Sequence, residues 1–216
     1  MPSPDRRPHW PEGIAQRTAA RHGAGGREVK HPILETWFGG EPDLYREAWF
    51  RSDSAFDSLL RERFAEAAEQ AASGSLAGLL EEPGDALALC LLLDQVPRNI
   101  HRGTPRAFAS DPEARRVARE AVLVRRHDLS LAPMQRIFLY LPFEHSEDAH
   151  DQDLSVALFE GLRDDPRAPS PGGVIDYAWR HLVVIRRFGR FPHRNAILAR
   201  PSTPEEVAYL ETNGGF

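Results

Sequence analysis

Ala86 to Leu93 is an unbroken apolar run of eight residues, and the next residue is Asp94. A helix that is apolar on every side has no face to give to water, so it sits at the centre of a fold with other helices around it. The run falls far short of the about 20 residues that a membrane span needs. This one segment restricts the chain to folds built around a buried central helix.

The rest of the sequence supplies the surrounding helices. Phe56, Leu59, Leu60, Phe64, Ala67, Ala68 and Ala71 recur at helical spacing, as do Ala114, Val117, Ala118, Ala121 and Val122. Ser54 with Asp57 reads as a capping box, and Asp111-Pro112 as an N-cap followed by the first helical residue. A further helix is predicted from Pro133 to about Leu141. Another carries Leu154, Ala157, Leu158 and Leu162, and one more carries Val174, Tyr177, Ala178, His181, Leu182 and Ile185. The Pro/Gly/Asp stretch from Asp164 to Gly173 reads as a loop between them. Thr203-Pro204-Glu205-Glu206 combines cap, proline and N3 glutamate, and starts a short helix through Leu210. No segment alternates with period two for long enough to make a strand. The expectation is an all-α fold of seven to nine helices, with one domain over residues 32–216. Residues 1–31 hold prolines, glycines and arginines without apolar periodicity and read as a flexible extension dispensable for folding.

Composition excludes several function classes. Apolar residues make up 41% and charged residues 27%, as in ordinary globular proteins. The single cysteine, Cys90, rules out an intrachain disulfide and any CxxC zinc site, and its place in the apolar run marks it as packing. A net charge of −5 argues against bulk electrostatic binding to nucleic acid. The expected location is cytoplasmic, with no membrane partner. Lys30 is the only lysine beside 26 arginines. That bias fits either anion chemistry through planar guanidinium forks or a biased genome.

Three polar segments interrupt the apolar pattern. In LLLDQVPRNIHRG, Asp94 follows the buried run and must find a partner or stay protonated. Arg98 lies on the same face if the helix survives Pro97. The pair either ties down a helix end, or Gln95, Arg98 and Asn99 point with Asp94 into a pocket. In YLPFEHSEDAHDQD, Glu144, Glu147, Asp148 and Asp151 share one face of a continuous helix, with His145 three residues before Asp148. Such a face is either a solvated acidic helix start or, with carboxylates and imidazole at helical spacing, a metal site, though HExxH and a Glu-x-x-His on paired helices are absent. In HLVVIRRFGRFPHRN, Arg186, Arg187, Arg190 and Arg194 alternate with Phe188, Phe191 and His193, a pattern that either binds single-stranded nucleic acid or a phosphate or pairs with acids of the same chain. Residues 144–165 carry eight acids and one arginine, so the two segments can neutralise each other. They should therefore lie close together. His181, on an apolar face, reads as a core histidine satisfied by a hydrogen bond. GxSxG, the P-loop pattern and GxGxxG are absent.

Taken together, LLLDQVPRNIHRGTPRAFASD, FLYLPFEHSED, QDLSVALFE and RRFGRFPHRNAILARPSTPEEVAYL resemble the bacterial family known as domain of unknown function 924, from about Ile33 to Phe216. The resemblance implies an all-helical, TPR-like fold in a soluble protein, and no established activity. The chain departs from the family pattern at Val96 and His101, where aromatic residues are expected. Matching positions include Asp94, Gln95, Arg98 and Asn99, then Glu144, His145 and Glu147, then Arg187, Arg190, His193, Arg194 and Asn195.

These readings converge on one expectation. Glu144, His145, Glu147 and His193 supply acid–base groups. Asp94, Gln95, Arg98, Asn99, Arg187, Arg190, Arg194 and Asn195 bind a small anionic molecule; no metal is assigned and the cofactor is unknown. The alternative is a TPR-like scaffold for a peptide, with the polar motifs as structural ties.

Overall fold

Proline opens four of the helices. With no N–H to leave unpaired and a φ already suited to a helix, it fits the first helical position. In the computed structural model, which describes residues 31–43, 45–166 and 173–216, such starts are found at α1 (Pro32–Phe38), α3 (Pro83–Cys90), α6 (Pro133–Glu144) and α9 (Pro204–Asn213). The others are α2 (Ser54–Ala72), α4 (Val96–Ile100), α5 (Asp111–Arg119), α7 (Ala149–Glu160) and α8 (Val174–Phe188). No strand occurs among the described residues, so the class is all-α. Apart from His31, which pairs with Asp85 at 3.2 Å, the expected N-terminal extension lies outside the described residues.

Two helix starts differ from the sequence reading. Asp53, not Ser54, caps α2, accepting from the amides of Ala55 and Phe56. Ser110 occupies the cap position of α5 without capping it. Its hydroxyl donates instead to the Leu93 carbonyl at 2.6 Å. Asp111, freed from the expected cap, turns to arginines described below. The Thr203–Glu206 capping box is formed as the sequence suggests.

The central run is buried throughout, from Ala86 to Leu93. The helix continues past it through one widened π turn, Leu91–Gln95, into α4. Widening relieves the clash of the Pro97 ring with the preceding turn. Pro97 also has no N–H for the carbonyl four residues back, which is Leu93, and Ser110 satisfies that oxygen. The same thing happens in α6, which runs on through Pro142 to Glu144 instead of ending near Leu141. Pro142 leaves the Phe138 carbonyl short of its donor, and the Cys90 thiol reaches it at 3.4 Å. Cys90 is thus more than filler.

One apolar cluster joins α1 through α8 around this rod. Its densest part is aromatic: Phe138 of α6 meets Trp37, Phe38, Trp49 and Phe50 with ring centroids 5.0–6.2 Å apart. Each such pair adds about 0.5–1.5 kcal/mol beyond its buried area. Helices α6, α7 and α8 pack in sequence order, and α9 folds back on residues 192–194. No helix of the described residues is long and apolar enough to cross a membrane.

Candidate functional site

The π turn carries Asp94 into the interior, where it is fully buried. Its Oδ1 accepts from His145 Nδ1 at 2.9 Å and lies 3.1 Å from Arg98. Its Oδ2 accepts from the Gln95 amide at 2.6 Å. Burial opposes ionisation, but the Arg98 guanidinium and His145 outweigh it and hold the Asp94 carboxyl well below the usual range. Arg98 also grips Asp111 through both nitrogens, at 2.8 and 3.0 Å. Arg194 approaches the same Asp111 carboxylate at 3.5 Å. The Arg194 guanidinium lies 4.6 Å from the ring centroids of both Phe108 and Phe191. Burial lowers this arginine to about 10, and its Nε has no partner.

Glu144 and His145 come from the α6–α7 turn. Gln152 gathers this turn by donating to the carbonyls of Phe143, Glu144 and Ser146. The four carboxylates of the segment do not share a helical face, because α6 ends at Glu144 and Asp148 is the N-cap of α7. Nor is this a solvated acidic face. Glu144 is 4% exposed. Burial, with the negative charge of Asp94, raises it to about 8, so it is a carboxylic acid at neutral pH. Its Oε1 lies 3.3 Å from His181 Nδ1, and its Oε2 has no partner. Glu147 turns away: it accepts the Phe191 amide at 2.8 Å and both nitrogens of Arg200 at 2.7 and 2.9 Å. Asp151 pairs with Arg119 and accepts the Ser146 hydroxyl.

Two histidines have their tautomers set by their partners. His181 Nδ1 lies 2.8 Å from the Tyr177 carbonyl, which can only accept, so Nδ1 carries the proton. His145 Nδ1 faces the Asp94 carboxylate and carries its proton for the same reason. In both rings Nε2 is left with a lone pair. The rings are 6.5 Å apart. Burial lowers His181 well below its ordinary value, lowers His145, and takes His193 to about 3. All three are neutral imidazoles at pH 7. Phe216 lies flat on His181, with centroids 3.7 Å apart and planes at 20°.

Of the residues singled out from sequence, Asp94, Gln95, Arg98, Glu144, His145, His193 and Arg194 meet in this cluster. Glu147 borders it through Phe191 and Arg200, and the acidic and arginine segments do lie together, as Arg186 pairs with Asp153 at 2.8 Å. The remaining residues are engaged elsewhere. Exposed Arg187 binds Glu205, and Arg190 binds Glu206 at the start of α9. Asn195 donates to Ser202 and Glu206. Asn99 donates to the Gln95 carbonyl and accepts from Arg102. The sequence reading passed over Asp111, His181, Arg200 and Phe216 as site residues. Only His181 carried a signal, a titratable residue on an apolar face. Among the described residues, no three His, Cys, Asp or Glu side chains are grouped to hold a metal ion.

The polar cluster draws on α6, α8 and the segments around Asp94 and Arg194, which lie within one matched stretch. Residues 33–214 match the family model of bacterial proteins of unknown function, DUF924. A solved structure of a protein of unknown function from Agrobacterium tumefaciens is similar at 43% sequence identity, covering 83% of this chain and 95% of that one, with a TM-score of 0.74. No curated protein matches the chain. With most of its length matched and its fold shared with that relative, the chain belongs to the bacterial DUF924 family.

Proposed function

We propose that Asp94, His145, Glu144, Arg98 and Arg194 form an acid–base site for a small anionic molecule. One observation carries this reading: two carboxyl groups in one buried cluster are driven in opposite directions, Asp94 to the ionised form and Glu144 to the protonated form. That separation leaves Glu144 as a proton donor and Asp94 as a fixed carboxylate behind the His145 imidazole, which is the base. Asp94 fixes the His145 tautomer and so aims the basic Nε2 outward from the pair, the role a carboxylate plays behind a catalytic imidazole. His145 then takes a proton from the bound molecule and Glu144 delivers one. With a value of about 8, Glu144 is poised close to neutral pH.

The anion preference rests on Arg194. It is 6% exposed, it shares Asp111 with Arg98, and its Nε–H lacks an acceptor. An incoming carboxylate or phosphate supplies the missing acceptor. Nucleic acid is a poor fit, since Arg186, Arg187 and Arg190 are each taken by a carboxylate.

Thermal unfolding with acetate, malonate or inorganic phosphate tests the reading. An anion at one hundred times its dissociation constant stabilises the fold by about 2.7 kcal/mol. The shift is expected in the native protein and absent from Arg194→Gln. Equal shifts in both proteins would refute the site.

A second reading, a TPR-like scaffold for a peptide, is favoured by an open cleft of about 340 Å³ lined by Ala68, Pro97, Ile100, His101 and Pro112. That volume lies at the small end for a ligand site and suits one or two side chains.

A further inference from the structure

We infer that the anion taken by the site carries a planar ring, and that the Phe216 side chain occupies that ring's place in the structure. This rests on the acid–base reading above and specifies its ligand. Phe216 and His181 are the closest ring pair among the described residues, at 3.7 Å; the other ring pairs are 5.0 Å or more apart. The stack has walls. Phe191 stands edge-on to both rings, 5.4 Å from His181 and 5.9 Å from Phe216, at 80° in each case. His193 closes another side, 5.7 Å from Phe216. Together these side chains make a flat slot whose floor is an uncharged imidazole, suited to an aromatic or conjugated ring.

Phe216 fills this slot without being sealed into it. The residue is 43% exposed. The segment reaches the slot by leaving α9 at Gly214, whose φ of 70° belongs to the left-handed region. It then passes so close to His193 that a Cβ on Gly215 would lie 2.8 Å from the His193 Cβ. A ring stacked on one face, walled at its edges, still partly exposed and approached over two glycines can be exchanged for another ring. The charge that an incoming ring needs is next door. Arg194 lies 4.6 Å from the Phe191 centroid and Phe216 lies 5.9 Å from the same centroid, so Phe191 touches both the ring slot and the guanidinium with the unpartnered Nε.

The test compares benzoate with acetate, and phenyl phosphate with inorganic phosphate, by titration calorimetry. The proteins are the native chain, Phe216→Ala, Gly215→Ala and Arg194→Gln, with folding checked by circular dichroism. Phe216→Ala is expected to bind benzoate at least tenfold more tightly than acetate, and at least threefold more tightly than the native chain does. Gly215→Ala keeps the phenyl group but sets its Cβ against the His193 Cβ, so the Phe216 segment or His193 must shift, and a gain in the same direction is expected. Equal affinity of Phe216→Ala for benzoate and acetate would overturn the inference, as would weaker benzoate binding than in the native chain. If acetate and phosphate bind, fail with Arg194→Gln, and show no advantage for the ring-bearing probes, the anion site stands and the ring does not. If none of the four probes binds, both readings fall.

Discussion

Replacing Glu144 with glutamine tests the electrostatics of the cluster without requiring any ligand. In the unfolded chain this carboxyl titrates near 4.5, and in the folded protein near 8. Between those values the unfolded chain has released the proton and the folded chain has kept it, so stability falls as pH rises. At about 1.36 kcal/mol per pH unit, the loss from pH 5 to pH 7.5 is about 3 kcal/mol. The group is 4% exposed, so solvent screening does little to reduce this. Glutamine keeps an oxygen for His181 and has no proton to lose. The stability of Glu144→Gln relative to the native protein should therefore climb by about 3 kcal/mol over that range, or roughly 6–12 °C in melting temperature for a domain of this size. Asp94, His145 and His181 titrate in both proteins, so the difference isolates Glu144. Urea unfolding at half-unit pH steps, followed by circular dichroism, measures it. A difference that stays flat from pH 5 to 7.5 would mean that Glu144 ionises normally, and the assignment of an acid and a base would fail.

Two further substitutions probe the ties behind the site. Asp94→Asn should destabilise by about 3–5 kcal/mol in urea unfolding, because it removes the buried negative charge that Arg98 and His145 face, and full stability would contradict this. Ser110→Ala should cost about 1–3 kcal/mol in urea unfolding by leaving the buried Leu93 carbonyl without its side-chain donor, and no loss would show that the widened turn satisfies that oxygen by itself.

The helices were legible because a buried face imposes its period on the sequence, as in Phe56 to Ala71 and Val174 to Ile185. Their starts were less so. Asp53 and Ser54 are both capping residues, and only backbone geometry decides between them. Asp111 left its expected cap for Arg98, a partner thirteen residues earlier, which no local rule contains. The carboxylates at 144, 147, 148 and 151 were placed on one face by assuming an unbroken helix, and Gln152 instead stabilises a turn there. Arg187 and Arg190 read as anion ligands from their place in an arginine–aromatic segment, yet Glu205 and Glu206 return to them at the start of α9. Phe216 offered nothing to read, since its role depends on the path of α9 back to His181.

The two halves of the polar cluster share one construction. Pro97 lies three residues after Asp94, and Pro142 lies two residues before Glu144, each inside a continuing helix. An ordinary helix at either place would satisfy its own carbonyls and hold its side chains in strict register. Proline forbids that, so each helix must borrow a donor from a neighbour: Ser110 for Leu93 and Cys90 for Phe138. The borrowed donors cross-link the elements that carry the site. Cys90 ties the central rod to α6 just below Glu144 and His145, and Ser110 ties the rod to the start of α5, which supplies Asp111. Local rules broken at a site are kept only where the surrounding structure compensates for them. Here the compensation fixes Asp94 and His145 in the same frame, so a hydrogen bond of 2.9 Å between residues 51 positions apart rests on two prolines and the side chains that complete their helices.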